Sequence, residues 1–337
     1  MTRHGMLDCP VSKALALKPD LPYSEIRTTP LGQSLTADQS GKTDCAARRS
    51  LRMDNRNVAT FVLMRFNVEF PGYEHLDTNS REWLDYRLRL AELTAFHSLK
   101  LQSLKNFKLV LLVSNATPES FLDALSHATQ GLDVIFLQAD SASPRNLSAT
   151  LLENAGAGCL AIQTSRLDSD DMFHPDYLRT IDEYCVGNNL YPELAREARY
   201  FRFPQGQDYL THRARYSRIL YPENAFGTLI EPANGKVVTV FCDNHKRMSK
   251  RFVAYSLDDD RPMWCRIMHG SNLSNKARKP LPLAGHFPVH PDLVEFARHP
   301  AVHPPQKHEP APRPALMEAK RARRRNKRLQ GAVTGPT

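Results

Sequence analysis

The chain has 337 residues, of which 41% are hydrophobic and 24% charged, and this composition excludes a wholly disordered protein. No run approaches the roughly 18 apolar residues that span a bilayer, and the first residues lack the apolar core of a secretory signal. The six scattered cysteines form no Cys-x-x-Cys pair. We therefore expect a cytoplasmic protein without a zinc site or disulfide framework. The formal net charge of +9 is concentrated in residues 311–337, whose eight basic residues and one acid carry +7 of it.

Residues 1–56 mix Pro, Ser, Thr, Asp and Gly with short apolar pieces and show no sustained hydrophobic period. We interpret them as a mobile N-terminal extension. The character of the sequence changes at residue 57, and we predict one folded domain over residues 57–279.

Short apolar runs alternate with amphipathic segments in the first half of this domain. The predicted strands are Val58–Met64, Lys108–Val113, Leu132–Leu137 and Cys159–Gln163. Between them we predict a long helix over 83–104, a helix with Thr117 as N-cap and Pro118 at its first position, and a helix near 146–155. This alternation predicts an α/β fold with a mostly parallel central sheet and right-handed crossovers.

The second half has a looser pattern. Tyr200–Phe203 and Lys236–Phe241 are predicted strands of a mixed C-terminal portion that supplies the acceptor side of a site. Ten prolines between Pro280 and Pro314 argue against a helix or central strand, so residues 280–310 are interpreted as a linker or wrapping segment. Residues 311–337 are predicted to be a basic, disordered tail.

The acidic run Asp168-Ser169-Asp170-Asp171 follows the fourth predicted strand, where ligands bind in parallel α/β sheets. Asp-x-Asp can present two carboxylates to a hard divalent cation such as Mn²⁺ or Mg²⁺. A nucleoside diphosphate is the natural co-ligand, because the cation would neutralise the charge on the leaving diphosphate. Two alternatives remain at this point: the acids cap a following helix, or one of them is a phosphatase-type nucleophile.

Several segments resemble one family. The run Arg166–Asp171 with Tyr177-Leu178 is similar to the acidic motif of the rhamnosyltransferase family, and the segment from Gln102 to Val113 resembles the second-strand entry of GT-A glycosyltransferases. Tyr221–Thr228 through His245, and Pro262–Asn275 with its His-Gly-x-Asn-x-x-Asn motif, also resemble it. The resemblance implies a GT-A-like nucleotide-sugar-binding fold over about 58–275.

The resemblance also implies metal ligands. Asp170 would be the main ligand, and Asp168 would face the metal or the donor nucleotide. Asp171 would be a ligand or would orient its neighbours. His269 resembles the late histidine that closes on the metal or the diphosphate in such folds.

Further residues are candidates for binding the donor and for catalysis. Arg65 follows the first strand and Arg166 lies beside the acidic motif, so both are predicted to contact the nucleotide, and Asn272 is predicted to bind sugar or phosphate. An inverting transfer needs a base for the acceptor hydroxyl. Asp243 and His245 are the candidate bases because they follow an apolar run.

The leading functional hypothesis is a metal-dependent glycosyltransferase that moves a sugar, rhamnose by the family's name, from a nucleotide-diphosphate donor to a glycan or glycolipid acceptor. An alternative is a protein that binds nucleic acid or an anionic surface through its basic tail. We expect no specific nucleic acid, because the folded part is nearly neutral and has no nucleic-acid motif, whereas an anionic membrane suits a lipid-linked acceptor. A third hypothesis is a catalytically inactive sugar-nucleotide-binding module.

Overall fold

The computed structural model describes residues 57–68, 77–139, 141, 144–211, 215–269 and 287–298. The N-terminal extension, the basic tail and Asn272 lie outside the described residues.

Eleven strands and eight helices are described. The strands are β1 (Val58–Arg65), β2 (Lys108–Ser114), β3 (Val134–Ala139), β4 (Ala161–Arg166), β5 (Met172–Phe173), β6 (Arg199–Arg202), β7 (Gln205–Leu210), β8 (Arg215–Leu220), β9 (Gly227–Pro232), β10 (Val253–Ser256) and β11 (Trp264–Met268). The helices are α1 (Arg81–Leu93), α2 (Ala95–Lys100), α3 (Glu119–Ala128), α4 (Leu147–Ala155), α5 (Tyr177–Gly187), α6 (Tyr191–Leu194), α7 (His245–Arg251) and α8 (Asp292–Arg298).

The central sheet has seven strands in the order β10-β6-β9-β4-β1-β2-β3. Strand β1 pairs in parallel with β2 and β4, and β2 with β3, whereas β9 is antiparallel to both β4 and β6. A second sheet, in the order β5-β11-β7-β8, combines parallel and antiparallel pairs. The predicted α/β class, with a mostly parallel central sheet and a mixed C-terminal portion, is therefore confirmed.

Both faces of the central sheet are buried, as the side chains of β1 illustrate. Val62 and Met64 belong to the core under α1, α2, α3 and α5. Phe61 and Leu63 point to the other face and join the core under α4 and α7. Because successive side chains alternate between two buried faces, the strand reads as a continuous apolar run.

The prediction of one long helix over 83–104 is wrong, because the structure has two shorter helices there. The segment divides into α1 and α2 at Thr94, whose backbone lies at φ −124° and ψ −90°. The Thr94 hydroxyl donates to the carbonyl of Leu90 at 2.7 Å, a local bond of the kind that bends helices. In the next helix, Pro118 is the N-cap rather than the first helical residue.

The strand predicted over 236–241 is also wrong, because this segment is a loop. The backbone N–H groups of Val238 and Thr239 donate to the Glu231 carboxylate, at 2.8 Å each, and that of Val240 donates to the Thr164 hydroxyl at 3.0 Å. Thr239 has a φ of 64°, which no strand accommodates. The apolar character of the run reflects burial, and side chains rather than a neighbouring strand satisfy its backbone.

The proline-rich stretch contains a helix, contrary to the expectation that prolines exclude one. Helix α8 occupies seven of the eight residues between Pro291 and Pro300. Leu293 on this helix and Phe287 before it are almost fully buried. Residues 287–298 thus wrap against the domain, and α8 fits between the prolines because Pro is tolerated just before a helix begins.

The four cysteines among the described residues are free thiols. Across the described ranges, no helix combines the length and the apolarity that crossing a membrane requires.

Candidate active site

The acidic motif lies in the turn between β4 and β5, at the carboxyl end of the parallel strands. The N–H of Asp171 donates to the carbonyl of Asp168 at 3.1 Å and closes this turn. Strand β5 then pairs with β11, so the residue after β11, His269, comes back to the motif. The site therefore lies where a parallel sheet is expected to bind its ligand.

Asp170 receives two contacts on the same oxygen. Arg87 Nη1 lies 3.2 Å from Asp170 Oδ2, and His269 Nε2 lies 2.9 Å from it. Burial opposes ionisation of this carboxyl, but the charge of Arg87 and the hydrogen bond and charge of His269 outweigh it and hold its pKa well below the usual range. Asp170 is therefore an anion at neutral pH.

His269 is held from its other ring nitrogen. Its Nδ1 lies 3.0 Å from the hydroxyl of Tyr86 on α1, and its side chain is only 4% exposed. The Tyr86 ring stacks on Phe296 of α8 at a centroid distance of 5.5 Å. The wrapping segment thereby helps to fix the histidine through Tyr86.

Asp168 forms an ion pair with Arg166, the last residue of β4. Both carboxylate oxygens accept from the guanidinium, at 3.0–3.2 Å. Arg65, at the end of the neighbouring β1, lies over the ring of Phe241 at 3.9 Å from guanidinium carbon to ring centroid. Burial and the charge of Arg166, partly offset by Asp168, lower the pKa of Arg65 to about 10, so two cations flank one carboxylate.

Asp171 is hydrogen-bonded to the mixed sheet. Its Oδ1 accepts from the backbone N–H of Ile267 in β11 at 3.0 Å. Burial, followed by the charges of Asp170 and Asp168, raises its pKa well above the usual range. This hydrogen bond connects the acidic motif to β11, the strand that ends just before His269, and the role of Asp171 stays a prediction.

The two candidate bases lie beyond the loop that ends at Phe241. Asp243 Oδ1 accepts from the N–H of Asn244 at 2.7 Å and lies 3.6 Å from Arg247. His245 is the first residue of α7. Through Phe241 this loop contacts Arg65, and the roles of Asp243 and His245 stay predictions.

The helix-cap interpretation of the motif is wrong. The chain enters β5 directly after Asp171, and α5 begins later, with Asp176 at its N-cap. The motif side chains contact Arg87, Arg166, His269 and the backbone of β11 instead.

Two residues of the site, Tyr86 and Arg87, are not among the candidates predicted from the sequence. Tyr86 is buried on α1, within the segment that was predicted to be helical. Arg87 contacts both Asp170 and the hydroxyl of Ser169. The only sequence signal was a charged residue beside an apolar helix face, which is too common to indicate a site.

The donor set fits a cation that is shared with a phosphate. Among the described residues no group of three or more His, Cys, Asp or Glu is arranged to hold a metal ion. A cation that also binds phosphate oxygens, however, needs only one or two protein ligands. The adjacent Asp170 Oδ2 and His269 Nε2 supply an anionic oxygen and an imidazole nitrogen for one such ion.

The family described as "Putative rhamnosyl transferase" matches residues 78–280, and no curated protein is significantly similar to the chain. Among solved structures, the chain is similar to Staphylococcus aureus TarS 1–349 in complex with UDP-GlcNAc (11% identity, TM-score 0.36, 62% of this chain and 58% of that one) and with UDP (11%, 0.37, 62% and 60%). It is also similar to a Bacillus anthracis protein described as a "Putative Glucose-1-Phosphate Thymidylyltransferase" in complex with sucrose (12%, 0.30, 61% and 88%). The chain thus spans about three fifths of the TarS chains it matches.

Proposed function

The chain belongs to the rhamnosyl transferase family, a family of glycosyltransferases, and from this membership we propose that it transfers a sugar from a nucleotide-diphosphate donor to a glycan or glycolipid acceptor. Rhamnose is the proposed sugar because the family carries its name. The observation that carries the proposal is the convergence of Asp170, His269 and Arg87 at the carboxyl end of the sheet.

The charges of the site suit a nucleoside diphosphate. Arg65 and Arg166 offer two cations next to Asp168, and Asp168, with its side chain 34% exposed, can accept from a ribose hydroxyl. Arg87 adds a third cation beside Asp170. Positive groups fixed in a partly buried site stabilise the negative charge that develops on a departing diphosphate.

We propose that Asp170 and His269 hold Mn²⁺ or Mg²⁺ together with the donor. The imidazole nitrogen disfavours Mg²⁺, a hard cation that is bound through oxygen ligands. When bound, the cation would supply further neutralisation of the leaving diphosphate. Asp170 suits this role because its carboxyl is ionised at neutral pH.

The acceptor hydroxyl needs a base if the transfer inverts the sugar. We propose Asp243 or His245, since the segment before them reaches the site through the contact of Phe241 with Arg65. Asn272 is proposed to bind sugar or phosphate, because it lies three residues after His269 in the sequence.

The basic tail suggests where the acceptor lies. Residues 311–337 carry +7, and a cluster of basic residues binds anionic lipid surfaces. We propose that the enzyme works in the cytoplasm and contacts the inner membrane surface through this tail, which would bring a lipid-linked acceptor within reach.

The proposal is tested by calorimetric binding of UDP, dTDP, GDP and their sugars, each with and without Mn²⁺ or Mg²⁺. Wild type is compared with Asp170→Asn, which keeps the shape of the side chain and removes its charge. Asp133→Asn is the matched control, because Asp133 is 63% exposed and precedes β3 at the opposite end of the sheet.

We expect metal-dependent binding by wild type and by the control, and its loss in Asp170→Asn. The nucleotide that binds most tightly identifies the nucleotide of the donor. Release of free dTDP from dTDP-rhamnose, but not from other nucleotide sugars, would support rhamnose as the transferred sugar. Absence of binding by wild type under every metal condition, or equal binding by Asp170→Asn, would overturn the proposed donor site.

A further inference from the structure

Arg87 and His269 share one oxygen of Asp170. Arg87 Nη1 lies 3.2 Å from Oδ2, and His269 Nε2 lies 2.9 Å from the same atom. Each of the two contacts uses the atom that would bind a cation in the proposed site.

The guanidinium of Arg87 is fixed in this position. Its second terminal nitrogen donates to the hydroxyl of Ser169, its carbon lies 5.5 Å from the centroid of the Trp83 ring, and its side chain is only 15% exposed. Its Nε is buried and has no hydrogen-bond partner among the described residues. The guanidinium therefore keeps one donor that no described residue uses.

A divalent cation and the guanidinium compete for Asp170. Two positive groups a few ångströms apart in a partly buried site repel each other strongly, because solvent screens them little. An anion placed between them removes the repulsion, and a diphosphate oxygen accepts from guanidinium as readily as a carboxylate does. The cation is thus disfavoured alone and favoured together with the diphosphate.

We infer that Arg87 makes the binding of the cation and of the nucleoside diphosphate interdependent. It neutralises Asp170 when no cation is bound, and it donates to the diphosphate when cation and nucleotide enter together. The inference rests on the proposed function and adds to it an order: the free protein holds the cation weakly, and the donor is needed to retain it. Because coupling between two ligands is reciprocal, the cation strengthens nucleotide binding by the same factor.

The alternative is that Arg87 only ties α1 to the motif. In that case its removal would loosen Asp170 and Ser169, and both the cation and the nucleotide would bind less tightly. The two roles therefore predict opposite changes in the affinity for the cation alone.

The test measures Mn²⁺ binding by the electron paramagnetic resonance signal of the free ion, alone and with UDP or dTDP, corrected by a titration of nucleotide without protein. The variants are Arg87→Gln, which removes the charge, and Arg87→Lys, which keeps it. Arg81→Gln is the control, since Arg81 lies on the same helix with its side chain 80% exposed.

In Arg87→Gln we expect the affinity for Mn²⁺ alone to rise at least about fivefold and the coupling between Mn²⁺ and nucleotide to fall by a similar factor, the size of an ordinary coupling. Arg87→Lys and Arg81→Gln should keep the coupling of wild type. A purely structural role cannot produce tighter binding of the cation.

Unchanged or weaker Mn²⁺ binding by Arg87→Gln would overturn the inference while leaving the donor site intact. If that variant fails to fold, loss of coupling in Arg87→Lys would overturn it equally. If wild type holds no Mn²⁺ even with nucleotide, the proposed function fails and this inference with it.

Discussion

Asp170 and Asp171 are adjacent in the chain, yet their environments shift their pKa values in opposite directions. Asp170 faces Arg87 and His269, which hold its pKa low. Asp171 is buried against β11, where its Oδ1 accepts from the N–H of Ile267, and its pKa is raised by burial and by the neighbouring acids. Two like groups can therefore serve different tasks, one as an anion that binds ligand and the other as a structural acceptor.

At the same residue scale, the raised pKa of Asp171 makes stability depend on pH. Its contribution to stability is fully present below the unfolded pKa of about 3.9 and is lost as pH rises through the higher folded pKa. Asp171→Asn cannot ionise and still accepts from Ile267. We expect it to be more stable than wild type at pH 7.5, on the order of 1 kcal/mol, with a smaller difference at pH 4.5.

The measurement is denaturant unfolding of both proteins at the two pH values with a chelator present. Asp171→Ala is the control, since it also removes the charge but leaves the Ile267 N–H without an acceptor, which costs about 1–3 kcal/mol. A stability gain for Asp171→Asn that is larger at pH 4.5 than at pH 7.5 would contradict the assignment.

At the scale of elements, β7 and β11 are joined by a buried ion pair. Arg266 Nε and Nη2 donate to the two oxygens of Asp208 at 2.9 and 2.7 Å, and the Asp208 side chain is 3% exposed. Arg266→Met leaves that carboxylate buried without its cation, so we expect a loss of about 3–5 kcal/mol in the free energy of unfolding.

The double variant Asp208→Asn/Arg266→Met removes both charges and should recover much of that loss. The matched comparison is the exposed pair of Arg81 with Asp85, 2.7 Å apart on the surface of α1, where Arg81→Met should change stability by about 0.5 kcal/mol or less. Free energies of unfolding are measured by denaturant unfolding. Equal decreases for Arg266→Met and Arg81→Met would show that burial does not increase the contribution of the inner pair to stability.

Helix α8 has only seven residues, too few to be stable without tertiary contacts. Leu293 anchors it, and Phe296 supports Tyr86 behind His269. Replacing a core Leu by Ala leaves a cavity and costs about 2–5 kcal/mol of stability. We therefore expect Leu293→Ala to detach α8 from the domain by local unfolding. Hydrogen exchange should then quicken in 287–298 and stay unchanged in β1 and β2, and Mn²⁺–nucleotide binding should weaken.

The exposed Leu220 provides the control, because its side chain lies on the edge strand β8 and is 55% exposed. Leu220→Ala should alter neither exchange in 287–298 nor ligand binding. Uniform loss of protection across the central sheet in Leu293→Ala would mean that α8 unfolds only with the whole domain.

At the scale of the whole molecule, the fold extends beyond the segment matched by the family. The match begins at residue 78, but β1 lies between β2 and β4 in the middle of the sheet. The chain before residue 78 therefore contributes a central strand and, through Arg65, a cation of the site.

The charge distribution gives a prediction at the same scale. Removing residues 311–337 takes away +7 of the +9 net charge, and each basic residue near an anionic membrane contributes about 1 kcal/mol to binding. We expect the truncated chain to lose salt-sensitive binding to phosphatidylglycerol vesicles and to keep metal-dependent binding of the donor.

Sedimentation with vesicles at low and high salt, followed by calorimetry with the donor nucleotide, separates the two properties. If the full-length protein does not bind the vesicles, or if the truncated protein still binds them, the proposed membrane role of the tail is contradicted. Loss of donor binding on truncation would favour the alternative in which the tail is the functional part.

Much of the fold was predictable because local signals agreed with it. Continuous apolar runs predicted β1 and β2, since both faces of those strands are buried, and they also predicted β3, although this edge strand is only partly buried. The apolar run over 236–241 was wrongly predicted to be a strand, because an apolar run indicates burial and burial alone does not specify a strand. Its N–H groups bind Glu231 and Thr164, two acceptors that no local pattern reveals.

The sequence by itself determined the alternation of strands and helices, the parallel sheet, and the position of Asp168, Asp170 and Asp171 at the end of a strand. Only the tertiary structure decided what those acids contact. Arg87 lies 83 positions from Asp170, and Tyr86 lies 183 positions from His269. Hydrophobic periodicity determines which face of a helix is buried, but the partner of a polar side chain depends on how the elements pack.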